Sequence, residues 1–184
     1  VRCPLAGTFQ PAPRRLPGRV GRLISPGKGG AGKTAAVTVA WFLLQYKRNT
    51  TEVRTLKENV YQTACGPIHY WRKVSDLNAP TLAFLPGLTA DHRLFEKQIA
   101  FFEGKFNLFT WDAPGHASSW PFRLDFDLFD KARWLEEIFT LEKITKPILV
   151  GQSMGGYVGQ AYAQLYPDRL AGFVSIDSAP LQRR

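Results

Sequence analysis

Polar and apolar positions along the chain fall into two regimes that change over near residue 50. From about residue 52, short apolar runs alternate with longer amphipathic stretches. "VRTLKENVYQTA" and "PIHYWRKV", separated by "CG", alternate with period two and predict a hairpin of half-buried strands. "TLAFLPG" (81–87) is apolar without alternation, which suits a strand buried on both faces. Leu94, Phe95, Gln98 and Phe102 recur at helical spacing and predict a helix over about 91–103, stopped by Gly104. "FNLFTWD" (106–112) is a further strand, and "APGHASSWPF" reads as a loop. Asp127 is placed to cap a helix whose stripe is Leu128, Ala132, Leu135, Ile138 and Phe139, with Pro147 beyond its end. "PILVG" (147–151), the helix "MGGYVGQAYAQLY" and the strand "AGFVSID" (171–177) complete the series. Strands alternating with helices imply a mostly parallel sheet covered on both faces, a three-layer α/β sandwich.

Charge separates the first quarter from the rest. Residues 1–48 hold nine Lys and Arg and no Asp or Glu, so they carry the whole net charge of +9. Five prolines and many glycines lie in the same segment, and residues 1–49 are read as a basic extension that is disordered or outside the fold. A nucleic-acid arm would share that composition, but the folded part sums to zero charge, so nucleic acid is not the expected partner. No apolar run approaches the roughly 20 residues of a membrane helix, and no membrane association is expected. Cys3 and Cys65 form neither a framework nor a metal-ligand spacing, so no metal is expected and the cytoplasm is the default compartment.

The chemistry concentrates at "ILVGQSMGG". Gly151, Ser153 and Gly155 form Gly-x-Ser-x-Gly between a predicted strand and a predicted helix. A nucleophilic serine has to sit on a sharp turn so that its hydroxyl projects above the sheet. The residues two before and two after then come too close for a β-carbon, which requires glycine at both. The helix that starts there aims free N–H groups and the positive end of its dipole at a developing oxyanion.

With these residues in place, the chain from about 52 to 180 resembles the α/β-hydrolase family, in its serine hydrolase branch. "FLPGLTADHRLFEKQ" is similar to the family's oxyanion-loop segment, with Pro86-Gly87 where His-Gly is usual. "WDAPGHASS" resembles Asp-x-Pro-Gly-His-Gly-x-Ser, with Ala117 in place of a glycine, and "AYAQLYPDRLAGFVSIDSAP" is similar to the segment after the nucleophile. The resemblance implies acyl transfer without a cofactor. Ser153 attacks an ester-like small molecule (an ester, thioester, lactone or acylglycerol), and the backbone N–H groups of Met154 and Leu88 hold the oxyanion. Gly87, His92 and His116 are expected at the pocket mouth. A serine at this position disfavours the epoxide-hydrolase and haloalkane-dehalogenase branches, which use Asp there.

The family's triad runs Ser, then acid, then His, and no histidine follows Ser153. Asp177 stands where a minority of relatives place the acid. The expectation is therefore a hydrolase truncated after the family's sixth strand, weakly active or inactive, with that strand as an exposed edge open to self-association.

A second motif competes. "GKGGAGKT" matches a phosphate-binding loop through Gly27, Gly32, Lys33 and Thr34, with Lys28 as the extra lysine of a variant form. Its entry, "GRVGRLISP", lacks the buried strand that would hold its N–H groups as a phosphate nest, and "YKRNTTEVR" supplies no parallel strand after it. "WDAPGH" and "FVSID", which a nucleotide site would need, already belong to the hydrolase order. Nucleotide binding thus stands as the alternative, and a non-catalytic binding module as a third reading.

Overall fold

The computed structural model describes the backbone of residues 7–11 and residues 56–181 in full. Seven strands form one sheet: β1 (Gly7–Pro11), β2 (Lys57–Thr63), β3 (Gly66–Lys73), β4 (Thr81–Leu85), β5 (Asn107–Trp111), β6 (Ile148–Gln152) and β7 (Gly172–Ile176). Three α-helices are described: α1 (Glu96–Phe102), α2 (Leu128–Leu141) and α3 (Met154–Leu165). The strand order is β1-β2-β3-β5-β4-β6-β7. Strands β5, β4, β6 and β7 run parallel, and β3, β2 and β1 add antiparallel pairs on one side. Strand β1 lies within the stretch read from composition as an extension, and it pairs with β2 from Gly7–Thr63 to Pro11–Asn59. The glycine loop at 27–34 lies outside the described residues.

The apolar runs explain the layering. Every residue of β4 and β5 is buried, as unalternating sequence requires, whereas β2 alternates between core and surface along its inner half. Ala83 and Leu85 of β4 join the core beneath α2 and α3, where Phe109, Trp134, Leu135, Ile138, Leu149, Val158 and Tyr162 meet. Leu82 and Phe84 point the other way and pack with Phe95, Ile99 and Leu108 beside α1. The two-residue period of a strand thus divides β4 between two cores. α2 starts on the expected cap: Asp127 accepts the Asp130 N–H, and Asp130 accepts the Asp127 N–H in return.

The predicted helix over 91–103 is divided into a 3-10 turn, His92–Phe95, followed by α1. At the start of the 3-10 turn the His92 N–H donates to Asp112 Oδ1 at 2.7 Å, and Asp91 caps the Arg93 N–H. The stop at Gly104 is as expected, with φ of +77° just past the helix. Among the described residues, no helix is long and apolar enough to cross a membrane. Cys65 is disulfide-bonded, so cysteine usage no longer argues for a reducing compartment.

Ile138 is fully buried between helix and sheet. Ile138→Ala is expected to lower unfolding free energy by about 2–5 kcal/mol, read as a reduced urea midpoint with an unchanged slope.

Candidate active site

Strand β6 ends at Gln152, and α3 begins at Met154, leaving Ser153 alone on the turn. Its backbone is at φ 50°, ψ −114°, a conformation that ordinary residues avoid and that costs of order 1–3 kcal/mol. Close packing enforces it. A β-carbon at Gly155 would stand 1.9 Å from the Leu85 carbonyl oxygen, and one at Gly151 would stand 2.4 Å from the Gly155 carbonyl oxygen. The first turn of α3 is therefore pressed against the end of β4, where the chain continues into the Pro86-Gly87-Leu88 loop. Ser153 is partly exposed, and Leu88 is well exposed. Met154 opens α3, where first-turn N–H groups lack intrahelical partners, so its N–H is available beside that loop.

Strand β7 secures the turn from the other side. The Ser153 N–H donates to the Ile176 carbonyl at 2.9 Å, and Ser178 Oγ donates to the Ser153 carbonyl at 2.9 Å. Asp177, exposed with φ of +52°, shows no hydrogen bond to the serine among the described residues.

Asp112, fully buried at the end of β5, ties the surrounding loops together. Its Oδ1 accepts the His92 N–H at 2.7 Å and lies 3.0 Å from His92 Nδ1. Its Oδ2 accepts the Ser118 N–H at 3.0 Å. Burial works against ionisation of this carboxyl, but the bonds from the His92 ring, its N–H and the Ser118 N–H outweigh that and hold the pKa below 3.8. Trp71 stacks on the His92 ring with 3.5 Å between centroids. His116 Nδ1 lies 3.1 Å from the Pro114 carbonyl, and His69 Nδ1 lies 3.0 Å from Glu58. In each of the three histidines these contacts occupy Nδ1, and among the described residues none of the rings shows a hydrogen bond to Ser153.

The model for the alpha/beta hydrolase fold matches residues 80–183, which covers β4 through β7 and the serine turn. The chain belongs to the α/β-hydrolase fold family. It is 26% identical over 140 residues to "Abhydrolase domain-containing protein lid-1" of Caenorhabditis elegans, covering 73% of this chain and 37% of that protein. It is 29% identical over 104 residues to "3-oxoadipate enol-lactonase 2" of Acinetobacter baylyi (strain ATCC 33305 / BD413 / ADP1), covering 54% of this chain and 38% of that one. A solved structure of a membrane phospholipase A, described as a bacterial virulence factor, superposes with a TM-score of 0.64 at 23% identity. That match covers 82% of this chain and 51% of the other. The chain therefore spans less than two-fifths of the two curated relatives and about half of the solved hydrolase.

Within the hydrolase fold, "WDAPGH" and "FVSID" serve as the β5 and β7 ends. Sequence reading missed three contributors. Gln152 folds its side chain over the loop after β4, its Oε1 2.1 Å from where a Gly87 β-carbon would be. Ser178 latches the turn, and Asp112 acts as a clamp, although only its place in the family motif was visible beforehand.

Two outcomes follow. Gly155→Ala drives a methyl into backbone that cannot give way, so it is expected to cost about 3 kcal/mol in urea unfolding and to distort the turn. Asp112 favours the fold in its ionised form. That contribution is complete above its ordinary pKa of 3.8 and is lost as pH falls through the depressed folded value. Between about pH 5 and pH 2, the urea midpoint should fall more steeply for the native chain than for Asp112→Asn.

Proposed function

We propose that the chain carries the nucleophile half of a serine hydrolase site that acts on ester-like small molecules through an acyl-enzyme. In this reading Ser153 attacks the carbonyl, and the Met154 and Leu88 N–H groups receive the oxyanion. One observation carries it: a non-glycine residue with φ of 50° stands alone between a parallel strand and a helix N-terminus, and that residue is a serine. A serine with a purely structural role would gain nothing from that strain. The names of the relatives, a lactonase among them, agree with a small ester or lactone as substrate.

The general base is not assigned to His69, His92 or His116: Nδ1 of each faces Glu58, Asp112 or the Pro114 carbonyl, and none shows a hydrogen bond to Ser153 among the described residues. The remaining triad members are proposed to come from outside the described residues, and alone the chain is proposed to be weakly active or inactive. Strand β7 is the sheet edge, with Val174 and Ile176 exposed, and a further strand or a second copy would add there. No described residue favours the nucleotide reading.

Incubation with excess alkyl fluorophosphonate is expected to modify Ser153, slowly, and to leave Ser153→Ala unmodified by peptide mapping. Turnover of p-nitrophenyl acetate should lie about 10⁶-fold below that of a complete serine triad. Label at other residues with Ser153 untouched would overturn the nucleophile assignment. Ordinary esterase turnover that vanishes in Ser153→Ala would overturn the incompleteness.

A further inference from the structure

Lys131 lies in the first turn of α2 and is only 5% exposed. None of the ion pairs among the described residues includes it. Its Nζ donates to Met154 Sδ at 3.2 Å and stands 5.4 Å from the centre of the Phe126 ring. A thioether is a weak acceptor and an aromatic face a weak counter-charge, so the ammonium is buried without an anion. The carboxylates nearest in sequence are committed elsewhere. Asp127, exposed, accepts the Asp130 N–H in the helix cap, and Asp130 accepts from Arg133 Nη1 and the Asp127 N–H. A cation in the first turn of α2, touching the first residue of α3, also opposes the dipoles of both helices. Burial pushes its pKa down to about 8, the response of a cation that lacks a partner.

Its location connects this charge to the serine. Met154, whose sulfur it touches, follows Ser153 directly. Lys131 also lines an open cavity of about 610 Å³ together with Phe126, Asp127, Leu128 and Phe129. Three apolar walls and a buried ammonium, with the Asp127 carboxylate exposed and bound to the helix cap at Asp130, suit a ligand that has an apolar chain and one negative end.

We propose that Lys131 anchors a carboxylate carried on the apolar chain of the ligand whose ester-like bond is presented to Ser153. The carboxylate replaces the Met154 thioether as acceptor, and the chain lies against Phe126, Leu128 and Phe129. The substrate part of this inference rests on Ser153 as nucleophile, whereas the anion site does not.

The test uses the whole chain with hexanoate and hexanol as probes of equal length and different charge. Reductive methylation of Lys131 at pH 8, followed by peptide mass spectrometry, should slow about threefold or more as hexanoate saturates. Exposed Lys97 and Lys143 should be unaffected, and hexanol should protect at least about tenfold less well by concentration. Hexanoate should also raise the melting temperature of the native chain, and Lys131→Met should lose that rise relative to hexanol. Equal protection by the two probes, no protection by hexanoate, or an undiminished rise in Lys131→Met each overturns the proposal. If Lys131→Met does not fold, the methylation result on the native chain decides. Protection of Lys131 alongside a Ser153 that fluorophosphonate leaves unmodified would support the anion site while removing the hydrolase reading.

Discussion

The backbone of α3 at Gly155 touches the carbonyl end of β4 so closely that no side chain fits between them. That contact fixes where the helix begins relative to the sheet, and the start of the helix fixes the turn at Ser153. With β6 arriving beside β4 in parallel and α3 leaving across its end, one residue must reverse the chain direction, and it does so at φ of 50°. The strain is sustained because hydrogen bonds from β7 and Ser178 hold the turn on its far side. The same approach puts the first N–H of α3 next to the loop leaving β4. The strained serine and the helix N–H beside it are therefore consequences of one packing decision.

Asp112 makes a comparable decision for the loops above the sheet. Among the described residues, its carboxylate oxygens gather donors from the β4–α1 segment and from the loop after β5, at a site fully removed from solvent. Desolvation alone would raise its pKa, and the convergence of three donors reverses that shift. The arrangement holds the His92 ring stacked against Trp71. A histidine at a family-like loop position thus becomes part of the scaffold.

Two buried charged groups show opposite electrostatics. Asp112 is a charge whose partners are all supplied by the fold. Lys131 is a charge whose described partners are a sulfur and a ring, at a place where two helix N-termini already make the surroundings positive. Proteins seldom leave a buried cation in that condition except where a ligand completes it. Family membership adds the scale: the solved hydrolase that superposes on this chain is about twice as long as the part matched. The described residues supply the serine turn, the loop after β4 and the sheet, with β7 at its edge.

What the sequence determined was whatever is enforced within a few residues of the chain. Unbroken apolar runs marked β4, β5 and β6, alternation marked the β2–β3 hairpin, and Gly151 and Gly155 flanking a serine marked the turn, because sterics there leave no other residue. What the tertiary structure decided were contacts between distant segments. Asp112 and His92 are 20 residues apart, Ser153 and Ser178 are 25, and Lys131 and Met154 are 23. The same applies to the pairing of β1 with β2 across more than forty intervening residues. Periodicity records which face of an element is buried, and it carries no information about which other element buries it. That is why the serine turn could be read from one stretch of chain, while the groups that clamp, latch and charge its surroundings required the fold.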